Sequence, residues 1–80
     1  MDDITQKVKN VTAKQLGIDE ANIKLTDSFT RDLGADSLDR VELIMTLEEE
    51  LCISIPNSDA DKLETPQQVV DYIQAVANRE

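Results

Sequence analysis

Eighty residues, 40% hydrophobic and 31% charged, make one small globular domain near the lower size limit for a single hydrophobic core. Seventeen acids against 8 bases give a net charge of −9, which disfavours nucleic acid and anionic membranes and favours basic surfaces. His is absent, which excludes Ser-His-Asp and Cys-His catalysis within the chain, and the single Cys52 excludes an intrachain disulfide.

The odd thiol suits a reducing, cytoplasmic compartment. Met1-Asp2-Asp3 lacks the basic start of a leader peptide. The longest apolar runs are three residues, such as Leu43-Ile44-Met45, so no membrane-spanning segment is expected. One Tyr, one Phe and no Trp leave an aliphatic core.

The chain order begins with a helix from about Asp3 to Leu16. Ile4, Val8, Val11 and Leu16 share one face, with Thr12 and Gln15 between them. Asp2 and Asp3 suit the positive end of its dipole, and Gly17 is a C-terminal stop. Residues 18–35 form a long connection with two apolar anchors, Leu25 and Phe29. A second helix runs from Ser37 to about Cys52, with Asp36 as N-cap and Asp39 completing a capping box. Cys52 through Pro56 reads as extended loop, because no second strand exists to pair with it. Asn57 to Leu63 gives a short helical turn. The last helix opens with Thr65 as N-cap, Pro66 in first position and Gln68 closing a capping box. Its core face is Val69, Val70, Ile73, Val76 and Ala77. The fold class is all-α, a small four-helix bundle of three main helices and a short one, with a long first loop.

The acidic charge is concentrated in the middle of the chain. Residues 1–31 carry five acids and five bases, whereas residues 32–64 carry ten acids against only Arg40 and Lys62. The second helix lies in this region and has two apolar arcs. At about 100° per residue from Ser37, Leu43, Ile44, Leu47 and Leu51 fall near 240–340°, an ordinary core stripe. Leu38, Val41, Met45 and Cys52 fall near 40–100°. Glu48 borders this second arc on one side, and Glu42 and Glu49 on the other. Either the helix is central and buried on both sides, or Leu38, Val41 and Met45 form an exposed docking strip framed by carboxylates. Cys52 is expected to be a part-buried small hydrophobe. Arg40 falls on the core arc, with its stem over apolar surface and its head reaching water or a nearby acid such as Glu42 or Asp36.

Ser37 opens the second helix with an accessible hydroxyl. A serine there usually caps its helix. Without a His-type base it is no self-activated nucleophile, but it suits a group attached by another enzyme. A phosphodiester on it would meet the free N–H groups and positive dipole of the helix start, against repulsion from Asp36 and Asp39.

The run LGADSLDRVELIMTLEEEL, Leu33 to Leu51, followed by Ile55-Pro56 and a capped last helix, resembles the acyl carrier proteins of bacterial type II fatty acid synthesis over the whole chain. That resemblance implies that residues 1–80 are one acyl carrier domain and not an enzyme. It implies a 4′-phosphopantetheine arm on Ser37, added from coenzyme A by a Mg²⁺-dependent holo-synthase, with Asp36 assisting metal placement during the modification. The arm would carry growing fatty acyl chains as thioesters. Leu38, Asp39, Val41, Glu42, Met45, Glu48 and Glu49 match the family's partner face, which would meet fatty acid synthesis enzymes and acyltransferases bearing basic patches. The carrier would be a monomer, with no resident metal. Arg40 stands where the family usually has a small neutral residue. A carrier for a polyketide or aminoacyl cargo, and an unmodified acidic helical adaptor, are the alternatives.

Overall fold

The structure is a computed structural model that describes residues 3–77. Helix α1 spans Asp3–Leu16, α2 Ser37–Leu51, α3 Asn57–Ala60 and α4 Pro66–Ala77, with no strand among the described residues. The expected all-α bundle is the observed fold. The dipole role expected of Asp2 falls outside the described residues, while Asp3 stands in the first turn of α1.

Helix α1 buries Val8, Val11, Thr12 and Ala13 and packs against both α2 and α4. Thr12 is a buried polar side chain, and its Oγ1 donates to Val8 O at 2.7 Å, so its burial leaves no unmet donor. Gly17 ends the helix at φ 67°, and Ile18 N donates to Ala13 O at 3.0 Å, the six-to-one bond of a Schellman stop. On the surface, Lys7 Nζ lies 2.9 Å from Glu50 of α2 and holds that carboxyl below the usual carboxylate range. The pair is exposed and solvent-screened, so it contributes little to holding α1 on α2.

The long connection has more structure than its sequence suggests. Asp19 caps a single 3₁₀ turn, Glu20–Asn22, by accepting from Ala21 N at 3.0 Å. Its anchors are Ile23 and Phe29, both buried, while Leu25 is only half-buried. Ile23 was not among the expected anchors, because it stands alone between charged and polar neighbours with no periodicity around it. Backbone bonds from Gln67 N to Leu25 O and from Phe29 N to Glu64 O tie the connection to the start of α4. Ala35 N donates to Phe29 O at 2.8 Å, and Gly34 turns the chain at φ 73° into the start of α2.

Helix α2 ends one residue earlier than expected. Cys52 takes the left-handed cap position at φ 55°, where glycine is the usual occupant, and Ile53 N bonds back to Glu48 O at 3.1 Å. The sharp turn points Cys52 outward, so it is exposed and not the part-buried hydrophobe its helical arc suggests. Ile53 and Ile55 then carry the chain back onto the core. The capping box of α4 is present in full: Gln68 N donates to Thr65 Oγ1, and Gln68 Oε1 accepts from Thr65 N. Pro66, Val69, Val70 and Ile73 are buried, Val76 is half-buried and Ala77 is exposed, so the core face of α4 is one turn shorter than expected.

Candidate functional site

The site is the start and outer face of α2. Asp36 is extended at φ −92° and ψ −176°, outside the helix, where its Oδ1 accepts from Asp39 N at 2.8 Å. Asp39 Oδ2 accepts in return from Asp36 N at 3.2 Å. Two carboxylates thus satisfy two backbone donors reciprocally and place negative charge where the helix dipole is positive. Asp36→Ala is expected to cost about 0.5–2 kcal/mol of stability, and Asp36→Asn much less, because the amide oxygen keeps the cap bond. Urea denaturation of both variants checks this. Equal losses would show that the negative charge, not the hydrogen bond, holds the helix start.

Ser37 follows as the first residue of α2 and is exposed. Its own N–H and that of Leu38 have no protein acceptor among the described residues. An exposed hydroxyl therefore stands beside unfilled backbone donors, a setting that accommodates a phosphate ester.

Behind Ser37, the core stripe and the second apolar arc of α2 separate cleanly. Leu43 and Leu47 are buried, while Leu38, Val41 and Met45 are exposed at 63%, 54% and 55%. Burial on both sides of α2 is thereby excluded. These are the exposed large hydrophobic side chains of the described residues, and all three lie on one strip of one helix. A shallow cleft lined by Met45, Glu48, Glu49, Ile53 and Ser54 extends the strip toward the end of α2.

The carboxylates around the strip are not equivalent. Glu49 is exposed. Glu42 accepts from Gln15 Nε2 of α1 at 2.7 Å but stays exposed. Glu48 Oε2 accepts from Ile55 N at 2.6 Å, which fastens the α2–α3 connection to α2. Asp39 is committed to the cap.

Arg40 does not pair with Glu42 or Asp36. Its Nη2 donates to Leu63 O at 3.1 Å and lies 3.5 Å from Ala60 O, at the far end of α3. The guanidinium thus crosses from α2 to the C-terminal carbonyls of the α3 segment, where cations are favoured. It lines a cavity of about 150 Å³ together with Ser37, Phe29, Leu43, Ile44 and Leu63. Sequence periodicity placed Arg40 on the inner arc, but backbone carbonyls leave no signature in sequence, and its partner was therefore not foreseen.

An exposed serine at a capped helix start thus stands beside an acid-framed apolar strip on the same helix. Residues 6–73 match the family model described as a phosphopantetheine attachment site. The chain belongs to this family and is a phosphopantetheine-carrying carrier protein, not an enzyme. Members carry 4′-phosphopantetheine covalently and meet the synthases and transferases that load and use it. No helix among the described residues is long and apolar enough to cross a membrane.

Proposed function

We propose that the chain is a cytoplasmic, monomeric acyl carrier of type II fatty acid synthesis, with the arm on Ser37. The observation that carries this reading is the adjacency of an exposed hydroxyl at a helix start and an exposed apolar strip bordered by acid on the same helix. In the attachment reaction the Ser37 oxygen forms a new bond to the β-phosphorus of coenzyme A as the pyrophosphate bond breaks. The hydroxyl proton passes to a base of the holo-synthase, and 3′,5′-ADP leaves. Asp36, exposed beside Ser37, can supply an oxygen to the Mg²⁺ of that reaction. The arm then supplies a thiol, which is more acidic than an alcohol and so a better leaving group in acyl transfer.

The face for visiting enzymes is Leu38, Val41 and Met45 with Asp39, Glu42, Glu48 and Glu49. Apolar side chains give contact energy, and the carboxylates steer and orient a basic patch. Leu38→Ala with Met45→Ala is expected to change folding stability by less than about 1 kcal/mol, since both side chains are already exposed. The same pair should weaken binding to a fatty acid synthesis enzyme by about tenfold or more, the scale of an anchor residue at an interface. Denaturation and titration calorimetry on one sample check both. A loss of stability with unchanged affinity per folded molecule would assign the strip to the core.

The fatty acyl cargo is favoured by the resemblance from Leu33 to Leu51, which departs at Arg40, and by an interior that is aliphatic apart from Phe29. The holo form is expected to accept malonyl groups from a fatty-acid-pathway transacylase. Loading only by a polyketide transacylase would move the chain to that cargo, and loading by neither would overturn the fatty acyl reading.

A further inference from the structure

Arg40 gives the interior beside Ser37 a chemistry that an aliphatic core would lack. The cavity between α2 and the α3 segment is lined by the apolar side chains of Phe29, Leu43, Ile44 and Leu63 and by the polar residues Ser37 and Asp61. Arg40, a half-buried residue, also lines it. Only Nη2 of its guanidinium bonds to the protein among the described residues, and both acceptors are backbone carbonyls. No carboxylate among the described residues lies within ion-pair distance of it. A guanidinium has five N–H donors, so several have no protein acceptor among the described residues and are left to solvent.

A hydrocarbon chain entering this cavity would strip that water and return nothing to the cation, which opposes its burial. A chain with an acceptor oxygen would replace the lost water with a charge-assisted hydrogen bond. We propose that Arg40 is a specificity-determining residue that favours tethered acyl groups with an oxo oxygen near the thioester over plain hydrocarbon chains of equal length. The inference rests on Ser37 being the tether point. The arm's own phosphodiester, also near Arg40, is common to both loaded forms and cancels when they are compared.

The test loads the full chain with amide-linked hexanoyl and 3-oxohexanoyl arms through a holo-synthase, confirms loading by intact mass, and compares melting temperatures. A group held in the cavity of the folded state raises the melting temperature. The 3-oxohexanoyl form is expected to melt about 4 °C or more above the hexanoyl form. Arg40→Leu should abolish or reverse that order, and Arg40→Lys should retain part of it. If Arg40→Leu fails to fold, the wild-type order and the Lys variant decide. Equal melting of two fully loaded wild-type forms, or an order unchanged in the Leu variant, overturns the role of Arg40 and leaves the carrier reading intact. Failure to gain any arm on Ser37 overturns both.

Discussion

Ser37→Ala is expected to abolish arm attachment while leaving the fold in place. Co-expressed with a holo-synthase, the wild-type chain should gain the mass of one phosphopantetheine and the variant none. The expected stability change is within about 0.5 kcal/mol, because the position is exposed and alanine is a good helix former. The cap hydrogen bond is made by Asp36, so the helix start does not depend on the serine hydroxyl. A loss of loading therefore cannot be blamed on unfolding, and far-ultraviolet circular dichroism of the same sample verifies that. Ser54 and Ser58 are also exposed and provide an internal control. Ser54 lies in a loop, and Ser58 sits in a helix of one turn, whose dipole is short. Ser37 alone of the three begins a full-length helix. Retention of the arm by the alanine variant, with the modified residue mapped to Ser54 or Ser58, would show that the helix start is not what the transferase reads.

The helices were legible because their signals are local. Periodic apolar positions set the inner faces of α1, α2 and α4, and short-range caps set their starts: Asp36 with Asp39, and Thr65 with Gln68. The second apolar arc on α2 was legible for the same reason, but both a buried and an exposed arc fitted the sequence, and the exposure of Leu38, Val41 and Met45 decides between them. Contacts set by tertiary geometry were not legible. Ile23 is a core residue without a periodic neighbour, and Arg40 and Glu48 bond to backbone groups 23 and 7 residues away. Cys52 failed differently. Helical extrapolation carried it past a stop that has no glycine, because a cysteine occupies the left-handed position. The site followed the same division: the position of Ser37 could be read, but the cation beside it had no visible partner.

Phe29→Ala should remove a large share of the domain's stability, about a quarter at the least. Phe29 is 2% exposed and is the single phenylalanine of the chain, set in a connection that has no long helix of its own. Truncating a buried phenylalanine costs about 3–5 kcal/mol, the lost transfer energy plus the cavity left behind. A domain of this length is stable by only about 4–12 kcal/mol. The adjoining cavity favours the lower end of the cost, since the lining can relax into space already present. The location of the damage matters more than its size. Phe29 O accepts from Ala35 N, and Phe29 N donates to Glu64 O, so this residue fixes the connection at both the entry to α2 and the approach to α4. Loss of the ring should free the segment that delivers Asp36 and Ser37, while α1 and α4 keep their mutual packing through Val8, Val11, Val69 and Ile73. Urea denaturation is expected to give a midpoint reduced by about a quarter or more. Hydrogen exchange at low denaturant should show residues 24–40 losing protection before α1 and α4. A uniform loss across the chain would mean instead that the connection and the bundle unfold as one unit, with Phe29 as part of the common core.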